Sequence, residues 1–543
     1  MKVTKLAAAA LLLVVAACGD DDGALTLPTA ASASSGATSS IPGTSRQVSD
    51  DGYPEPVVDA YMDGCTEDGD AEFCSCTIDE LQKRITLDEF VALGEGDATS
   101  SEVVLEVTEF CLVETGQLDP PVNAGDGGLV ALDLAQLLTL TEADLVAFWA
   151  GMLPDVYGVG YEDLAAVIPY YPSEGDLPAC GPEPLPLEAY EENAFYCHPG
   201  DFVAWDAEVL IPGLYTEFGD FSVALVLAHE WGHAIQARAV VSGPTIMTEL
   251  QADCFAGAWA GAVEGGSSDL LVLEPGDLDE AMAGYLLFRD PPGTSPADPD
   301  AHGSAFDRVN AFQDGFLNGP DRCRGYEDGE FLVVEIPLTE EDLETGGDLP
   351  FAETAPLVIE ALETYWGLLY PQLFGAEYVP MTNYGPYVPS TGFLPPCGPG
   401  EPDPDLYIGN AFYCPPGDFV AWDNETLFPE LYQRIGDFAI GMVLAHEWAT
   451  GIQARAGLPT EGLSAELQAD CLSGVWTADM VPSDNPMGLV LSAGDLDEAV
   501  AGFLAFGDDS SAGTPAGGTA FQRFNAFQDG FLNGAAQCLT YAG

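Results

Sequence analysis

Basic residues are scarce in this chain of 543 residues: Lys and Arg together number 13 against 89 Asp and Glu, a formal net charge of −76. A surface of that charge repels phosphate backbones and anionic headgroups, which excludes nucleic-acid binding and electrostatic adsorption to membranes. Because the acidic residues are spread along the whole chain, they indicate solubility or adaptation to salt. A preference for cationic substrates is the alternative interpretation.

Long apolar runs are also absent after the N-terminus, where no stretch approaches the roughly 20 residues of a spanning helix. The first residues combine Lys2 and Lys5 with an apolar run over 6–17 and small residues before Cys18, the pattern of an export signal. We predict a lipoprotein signal peptide over 1–18, with Cys18 as the lipid anchor. An ordinary cleaved signal is the alternative. Small polar residues over 19–54 predict a flexible linker. The mature protein is then extracytoplasmic, held to the bacterial membrane by lipid only, or secreted.

Cysteine is plentiful: besides Cys18 there are twelve, an even number that favours disulfides in an exported protein. Four of them, Cys65, Cys74, Cys76 and Cys111, predict a small disulfide-bonded helical domain over 55–118. A zinc knuckle is the alternative, but the "CSC" spacing lacks paired two-residue gaps and no histidine is near.

The rest of the chain consists of two similar sequence repeats. At one constant offset Trp149 matches Trp366, Cys180 matches Cys397, and "ELQADC" from Glu249 recurs from Glu466. The period is far longer than the 20–50 residues of stacked repeats, which indicates tandem duplication of a domain. The predicted domains are 125–328 for the first repeat and 329–543 for the second.

The duplication suggests disulfide pairing by symmetry, although four cysteines in each half allow three pairings. The symmetric pairs are Cys180 with Cys197, Cys254 with Cys323, Cys397 with Cys414, and Cys471 with Cys538.

The stretch "DFSVALVLAHEWGHAIQAR" predicts a helix that Asp220 caps. His229 and His233 stand four residues apart on it, so both imidazoles project from one face and can share a metal ion. Glu230 lies beside them, where it could take a proton from a metal-activated water. Two histidines on a helix surface are the alternative, because a bare HExxH motif also arises by chance.

The next apolar segment, "MTELQADCFAGAWAGAV", supplies a third ligand. It is also helical in composition and places Glu249 and Asp253 four residues apart on one face. A ligating Glu, followed by an Asp that accepts a hydrogen bond from a ligating His, completes a three-ligand zinc site with an open position.

The motifs "ACG" (179–181), "FYC" (195–197), "AHEWGHAIQ" (228–236), "ELQADCFAG" (249–257) and "HGSAFDRVNAF" from His302 resemble the bacterial neutral zinc metallopeptidases. The resemblance implies a gluzincin-type peptidase with one zinc per chain on His229, His233 and Glu249, and Glu230 as the base. It also implies a mainly α fold (α+β being possible) with two zincin-like domains. His302 is a candidate for stabilising an oxyanion; a plain loop residue is the alternative.

The second copy has lost part of the motif. Thr450 replaces His233, and Gly517 replaces His302. Threonine is a poor zinc ligand, so the second repeat is predicted to be non-catalytic; weak metal binding is the alternative. The residues retained in type are His446, Glu447, Glu466 and Asp470.

These features together predict an exported zinc metallopeptidase, an endopeptidase that acts on peptide or protein substrates. Amidase action on cell-wall peptides would differ only in substrate. The alternative from another class is a catalytically inactive surface binding or scaffold protein built from duplicated peptidase-like domains.

Overall fold

The computed structural model describes residues 53–54, 57–58, 61–62, 71–84, 90 and 133–542, except 176, 183–184, 269, 341, 400–401 and 507–516. The predicted signal peptide with Cys18, and all but the end of the predicted linker, lie outside the described residues. The chain divides into two compact units, residues 1–130 and 131–543.

In the first unit the main described element is helix α1 (Ala71–Arg84). The Tyr61 hydroxyl lies 2.8 Å from Thr77 Oγ1 in a hydrogen bond onto this helix. Cys76 is disulfide-bonded. Cys65 and Cys111 lie outside the described residues, so the four-cysteine domain over 55–118 stays a prediction.

The second unit contains both repeats, and its first half is built mainly from helices. They are α2 (Leu134–Tyr157), α3 (Leu210–Glu217), α4 (Asp220–Ala239), α5 (Thr245–Glu264), α6 (Asp277–Leu287), α7 (Ala305–Asn318) and α8 (Pro320–Arg324). The strands are β1 (Ala166–Tyr170), β2 (Ala194–Cys197) and β3 (Phe202–Asp206), and the 3₁₀ turns are Pro172–Glu174, Leu187–Ala189 and Gly325–Asp328.

The second half repeats this order. Its helices are α9 (Asp342–Thr345), α10 (Phe351–Phe374), α11 (Leu427–Arg434), α12 (Asp437–Ala456), α13 (Leu463–Ala478), α14 (Asp495–Phe506), α15 (Ala520–Asn533) and α16 (Ala535–Cys538). Its strands are β4 (Tyr384–Tyr387), β5 (Ala411–Cys414) and β6 (Phe419–Asp423), with 3₁₀ turns at Pro389–Thr391, Pro404–Leu406 and Leu539–Ala542. The prediction of a mainly α fold is confirmed.

The described residues of each repeat include one small three-stranded sheet. In the first, the order is β1-β3-β2, with β1 parallel and β2 antiparallel to the central β3. The second sheet has the same arrangement, β4-β6-β5. Within the described residues strand β2 is therefore an edge strand that pairs with β3 on one side, and it also contacts helix α4.

The two repeats share their interior. A single cluster of buried apolar side chains runs from Leu137 in α2 to Cys538 in α16. The predicted domain boundary between residues 328 and 329 therefore falls inside one compact unit.

Each repeat is closed by two disulfides, in the pairing that symmetry suggests. The bonds join Cys180 to Cys197, Cys254 to Cys323, Cys397 to Cys414, and Cys471 to Cys538.

Helix α2 corrects one expectation, because by length and composition it is apolar enough to cross a membrane. In the structure its Trp149 and Leu153 are fully buried in the shared core. The Asp144 carboxylate in its middle accepts a hydrogen bond from the Trp259 indole at 2.6 Å. Helix α2 therefore packs one face against the core of the second unit.

Helices α5 and α7 cross where glycines allow their backbones to touch. A Cβ atom at Gly257 would lie 1.9 Å from the Phe312 carbonyl oxygen, and one at Gly315 would lie 1.8 Å from that of Cys254. Any side chain at either position would force the two helices apart. The second repeat has the same crossing, with glycines at Gly474 and Gly530.

We expect Gly315→Ala to lower the free energy of unfolding by about 1–3 kcal/mol, the usual cost of overpacking. This loss should appear although Ala favours a helix over Gly by about 1 kcal/mol. Gly151→Ala in α2 is the control, since nothing lies within 4 Å of its added methyl group. Denaturant unfolding followed by circular dichroism measures both. A Gly315→Ala protein as stable as the wild type would contradict the close crossing.

Candidate metal centre and active site

Three potential ligands meet between helices α4 and α5. His229 Nε2 lies 3.1 Å from His233 Nε2, and Glu249 Oε2 lies 3.3 Å and 3.5 Å from these two nitrogens. Ligand atoms about 3.3 Å apart are what a tetrahedral ion with bonds of about 2.0–2.1 Å requires. The trio therefore fits a zinc ion and leaves a fourth position open.

Hydrogen bonds fix which nitrogen of each imidazole is available. His229 Nδ1–H donates to Asp253 Oδ1 at 2.6 Å, and His233 Nδ1–H donates to Gln236 Oε1 at 2.9 Å. Both Nε2 atoms are thus left facing Glu249, in the tautomer that a metal ion needs.

When no metal is bound, the neighbouring carboxylates of Asp253 and Glu249 favour the protonated form of His229. Burial lowers the pKa of His229, but Asp253 and Glu249 outweigh it and raise that pKa to about 10. Zinc binding must therefore release protons from the site, which makes metal uptake weaker as the pH falls.

Asp253 is itself held by Arg308 of helix α7. Arg308 Nε donates to Asp253 Oδ2 at 2.8 Å, and Nη2 donates to Oδ1 at 2.9 Å. Both side chains are buried, and the paired geometry orients the carboxylate towards His229.

Sequence reasoning missed Arg308 and Gln236 as parts of the site. Gln236 Nε2 donates to the Thr248 carbonyl oxygen at 2.6 Å, which turns its Oε1 towards His233. The available signal was recurrence, because the second repeat has Arg523 and Gln453 at the equivalent positions.

Gly232, one turn along the same face of α4, allows the close approach of α5. A Cβ atom there would lie 2.9 Å from Ala252 Cα. The backbones of α4 and α5 therefore approach closely between His229 and Glu249. The second copy has Ala449 at this position.

Glu230 is buried beside the trio, and its Oε2 accepts a hydrogen bond from the Tyr196 backbone N–H of edge strand β2 at 2.7 Å. Burial raises the pKa of Glu230 despite the nearby histidines. A carboxylate that is fixed in place and whose pKa lies above its ordinary value is a stronger proton acceptor, which suits a general base.

A cavity of about 630 Å³ opens onto these groups, lined by the metal trio, Glu230 and residues of β2. His302 lines the same cavity with 51% of its side chain exposed, and its Nδ1 lies 3.5 Å from Asp290 Oδ1. The structure thus brings His302 to the cavity, and its role as an oxyanion donor stays a prediction.

The second repeat keeps most of this arrangement. His446 Nδ1–H donates to Asp470 Oδ1 at 2.7 Å, and His446 Nε2 lies 3.1 Å from Glu466 Oε2. Tyr413 N–H donates to Glu447 Oε2 at 2.6 Å, and burial raises the pKa of Glu447 to about 7.

Thr450 does not replace the missing ligand. Its hydroxyl donates to the His446 carbonyl oxygen at 3.1 Å, within its own helix. Gln453 Oε1, the counterpart of the acceptor for His233, is buried without a hydrogen-bond partner in the described part of the chain. The second site therefore retains one His and one Glu as potential ligands. It also retains Gln453, whose counterpart Gln236 accepts a hydrogen bond from the missing His ligand.

Comparison with protein families finds one family in both repeats. The model of the family described as "Putative neutral zinc metallopeptidase" matches residues 238–326 and 397–541. The match falls in both repeats, which confirms the resemblance and the duplication. In the first repeat it begins after the HExxH motif and includes Glu249 and Arg308; in the second it includes His446 and Glu447.

The relatives are bacterial proteins. The "Uncharacterized protein YpfJ" of Escherichia coli strain K12 is 28% identical over 219 residues, which cover 35% of this chain and 71% of that protein. The "Uncharacterized protein Mb2605" of Mycobacterium bovis is 33% identical over 172 residues, 26% of this chain and 57% of its own length. The "Uncharacterized protein Rv2575" of Mycobacterium tuberculosis matches to the same extent. No solved structure gives a significant match to the chain.

We expect Thr450→His to raise the zinc content by about one ion per chain, because it restores the three-ligand set. The introduced imidazole can donate to Gln453 Oε1, as His233 does to Gln236. Glu466 has 35% of its side chain exposed against 12% for Glu249, so the added ion should bind more weakly. Elemental mass spectrometry after dialysis measures the gain, with Thr450→Ala as the control. No gain would show that the second site has lost more than one ligand.

Proposed function

We propose that this chain is an exported zinc-dependent peptidase whose first repeat hydrolyses peptide bonds and whose second repeat is non-catalytic. One observation carries the proposal: His229, His233 and Glu249 converge at zinc-ligand spacing, with the buried carboxylate of Glu230 beside them in an accessible cavity. The family match supports the same reaction class.

His229, His233 and Glu249 would hold the zinc, which would supply the Lewis acidity that makes a water nucleophilic near neutral pH. Glu230 would accept a proton from the attacking water while the oxygen of that water adds to the peptide carbonyl carbon. When the C–N bond breaks, Glu230 returns the proton to the leaving amine nitrogen. The Tyr196 N–H holds Glu230 in place for both transfers.

The cavity wall favours an extended peptide as substrate. Among the described residues no strand pairs with the second edge of β2, where Glu230 takes only the Tyr196 N–H, and its Ala194, Phe195 and Tyr196 line the cavity. An unpaired strand edge can hydrogen-bond to a peptide backbone regardless of sequence. His302, partly exposed in the same cavity, is placed in this proposal as the donor to the oxyanion.

Export and anchoring complete the proposal. The four disulfides of the second unit are of the kind that persist outside the cytoplasm. The N-terminal pattern supports lipid attachment at Cys18, with the linker separating the peptidase from the membrane.

Glu230→Gln should reduce hydrolysis of an unfolded protein such as casein by about 10²–10⁴-fold, the usual contribution of a general base. It should leave the zinc content unchanged, because Glu230 is not a ligand. Glu447→Gln is the matched control and should leave both activity and zinc at the wild-type level.

Two results would contradict the assignment. Hydrolysis that survives Glu230→Gln would exclude this residue as the base. A wild-type protein that holds zinc but cleaves no peptide would favour the binding or scaffold interpretation.

A further inference from the structure

In each repeat a carboxylate accepts a hydrogen bond from a backbone N–H of the other repeat. Asp497 of helix α14 accepts a hydrogen bond from the Phe306 backbone N–H at 3.1 Å, at the start of helix α7. At the equivalent position of the first repeat, Asp279 of helix α6 accepts a hydrogen bond from the Phe521 N–H at 2.8 Å, at the start of helix α15. Each repeat thus satisfies a first-turn N–H of the other, a group with no partner inside its own helix.

Helix α7 is held to the second repeat by further contacts. The Phe306 ring lies 5.8 Å from the ring of Phe524 and 5.0 Å from that of Phe531, measured between centroids. Gln313 Nε2 donates to the Phe521 carbonyl oxygen at 3.2 Å. The position of α7 therefore depends on the second repeat as well as on its crossing with α5.

Helix α7 also carries Arg308, two positions after Phe306, and this residue lies next to the metal centre. Arg308 donates two hydrogen bonds to Asp253, and Asp253 accepts a hydrogen bond from His229 Nδ1–H. A continuous chain of buried contacts thus runs from Asp497 in the second repeat to a ligand of the first.

We infer that the degenerate repeat is a positioning element of the active site: Asp497 fixes the start of helix α7, and through Arg308 and Asp253 it sets the orientation of His229. Asp497 touches neither substrate nor metal and is a positioning residue. This inference rests on the zinc site of the proposed function.

The equivalent series of contacts, which leads to the second repeat's site, gives a matched control. Asp279 holds α15, whose Arg523 binds Asp470, which accepts from His446. That series ends at a site where Thr450 stands in place of a ligand. Losing Asp279 removes the equivalent backbone contact between the repeats without reaching the three-ligand centre. Asp497 differs in one respect, an ion pair with Arg289 at 3.3 Å, which Asp497→Asn removes while keeping the backbone contact.

The experiment compares Asp497→Ala with Asp279→Ala in the otherwise unchanged protein, using zinc affinity from competition with a chromophoric chelator and the melting temperature. Both variants should melt at reduced temperatures, and Asp497→Ala at the lower one because it also loses the ion pair with Arg289. Asp497→Ala should weaken zinc binding about 5-fold, less than the 10–100-fold typical when a direct partner of a ligand is lost. Asp279→Ala should leave the zinc affinity at about the wild-type level.

Asp497→Asn is the conservative variant. It keeps an acceptor oxygen for the Phe306 N–H and should recover most of the zinc affinity. If the alanine variants fail to fold, Asp497→Ser and Asp279→Ser form the second pair, because a side chain this short also withdraws the acceptor, and the effect should have the same direction. Equal zinc affinities within either folded pair would overturn the inference.

Hydrogen–deuterium exchange without added metal separates this inference from the proposed function. Asp497→Ala should speed exchange in peptides from α7 and from α4 near His229, whereas Asp279→Ala should spare them. A wild-type chain that takes up no zinc would refute the proposed function, and the exchange comparison would still decide whether Asp497 positions His229. Unchanged exchange in α4 would refute that role.

Discussion

The buried carboxylate of Asp253 is the contact on which the metal centre depends. It is fully buried on α5, it accepts from His229 on α4, and it is paired with Arg308 on α7. Removing one partner of such a buried charge pair typically costs about 3–5 kcal/mol, so the three helices are coupled by it. The glycine crossing of α5 with α7 brings Arg308 close enough to make the pair.

This dependence explains why the second repeat retains so much after losing a ligand. Its own Asp470 and Arg523 still hold His446 as their counterparts hold His229. These groups are buried and mutually paired, so each loss would leave an uncompensated charge inside the shared core. A ligand that faces the cavity, such as the one Thr450 replaced, can be lost at a lower cost in stability.

Much of the site could be predicted from sequence because its spacing is local. His229 and His233 share a helix face through the helical period alone, and Glu249 with Asp253 does so on the next helix. The symmetric disulfides followed from the repeat. Long-range partners could not be predicted in this way. Asp220 was expected to cap α4, but Gly219 is the cap residue and the Phe221 N–H is accepted by Glu280, far along the chain. The contacts of Arg308 and Asp497 likewise depend on how helices from distant segments pack.

The central claim is that the first repeat alone holds a complete three-ligand zinc site. The most direct measurement is zinc per chain, by elemental mass spectrometry of the purified wild-type protein after dialysis against metal-free buffer. A single site of this kind predicts about one zinc per chain. A value near zero would contradict the site itself, and a value near two would contradict the assignment of the second repeat as degenerate.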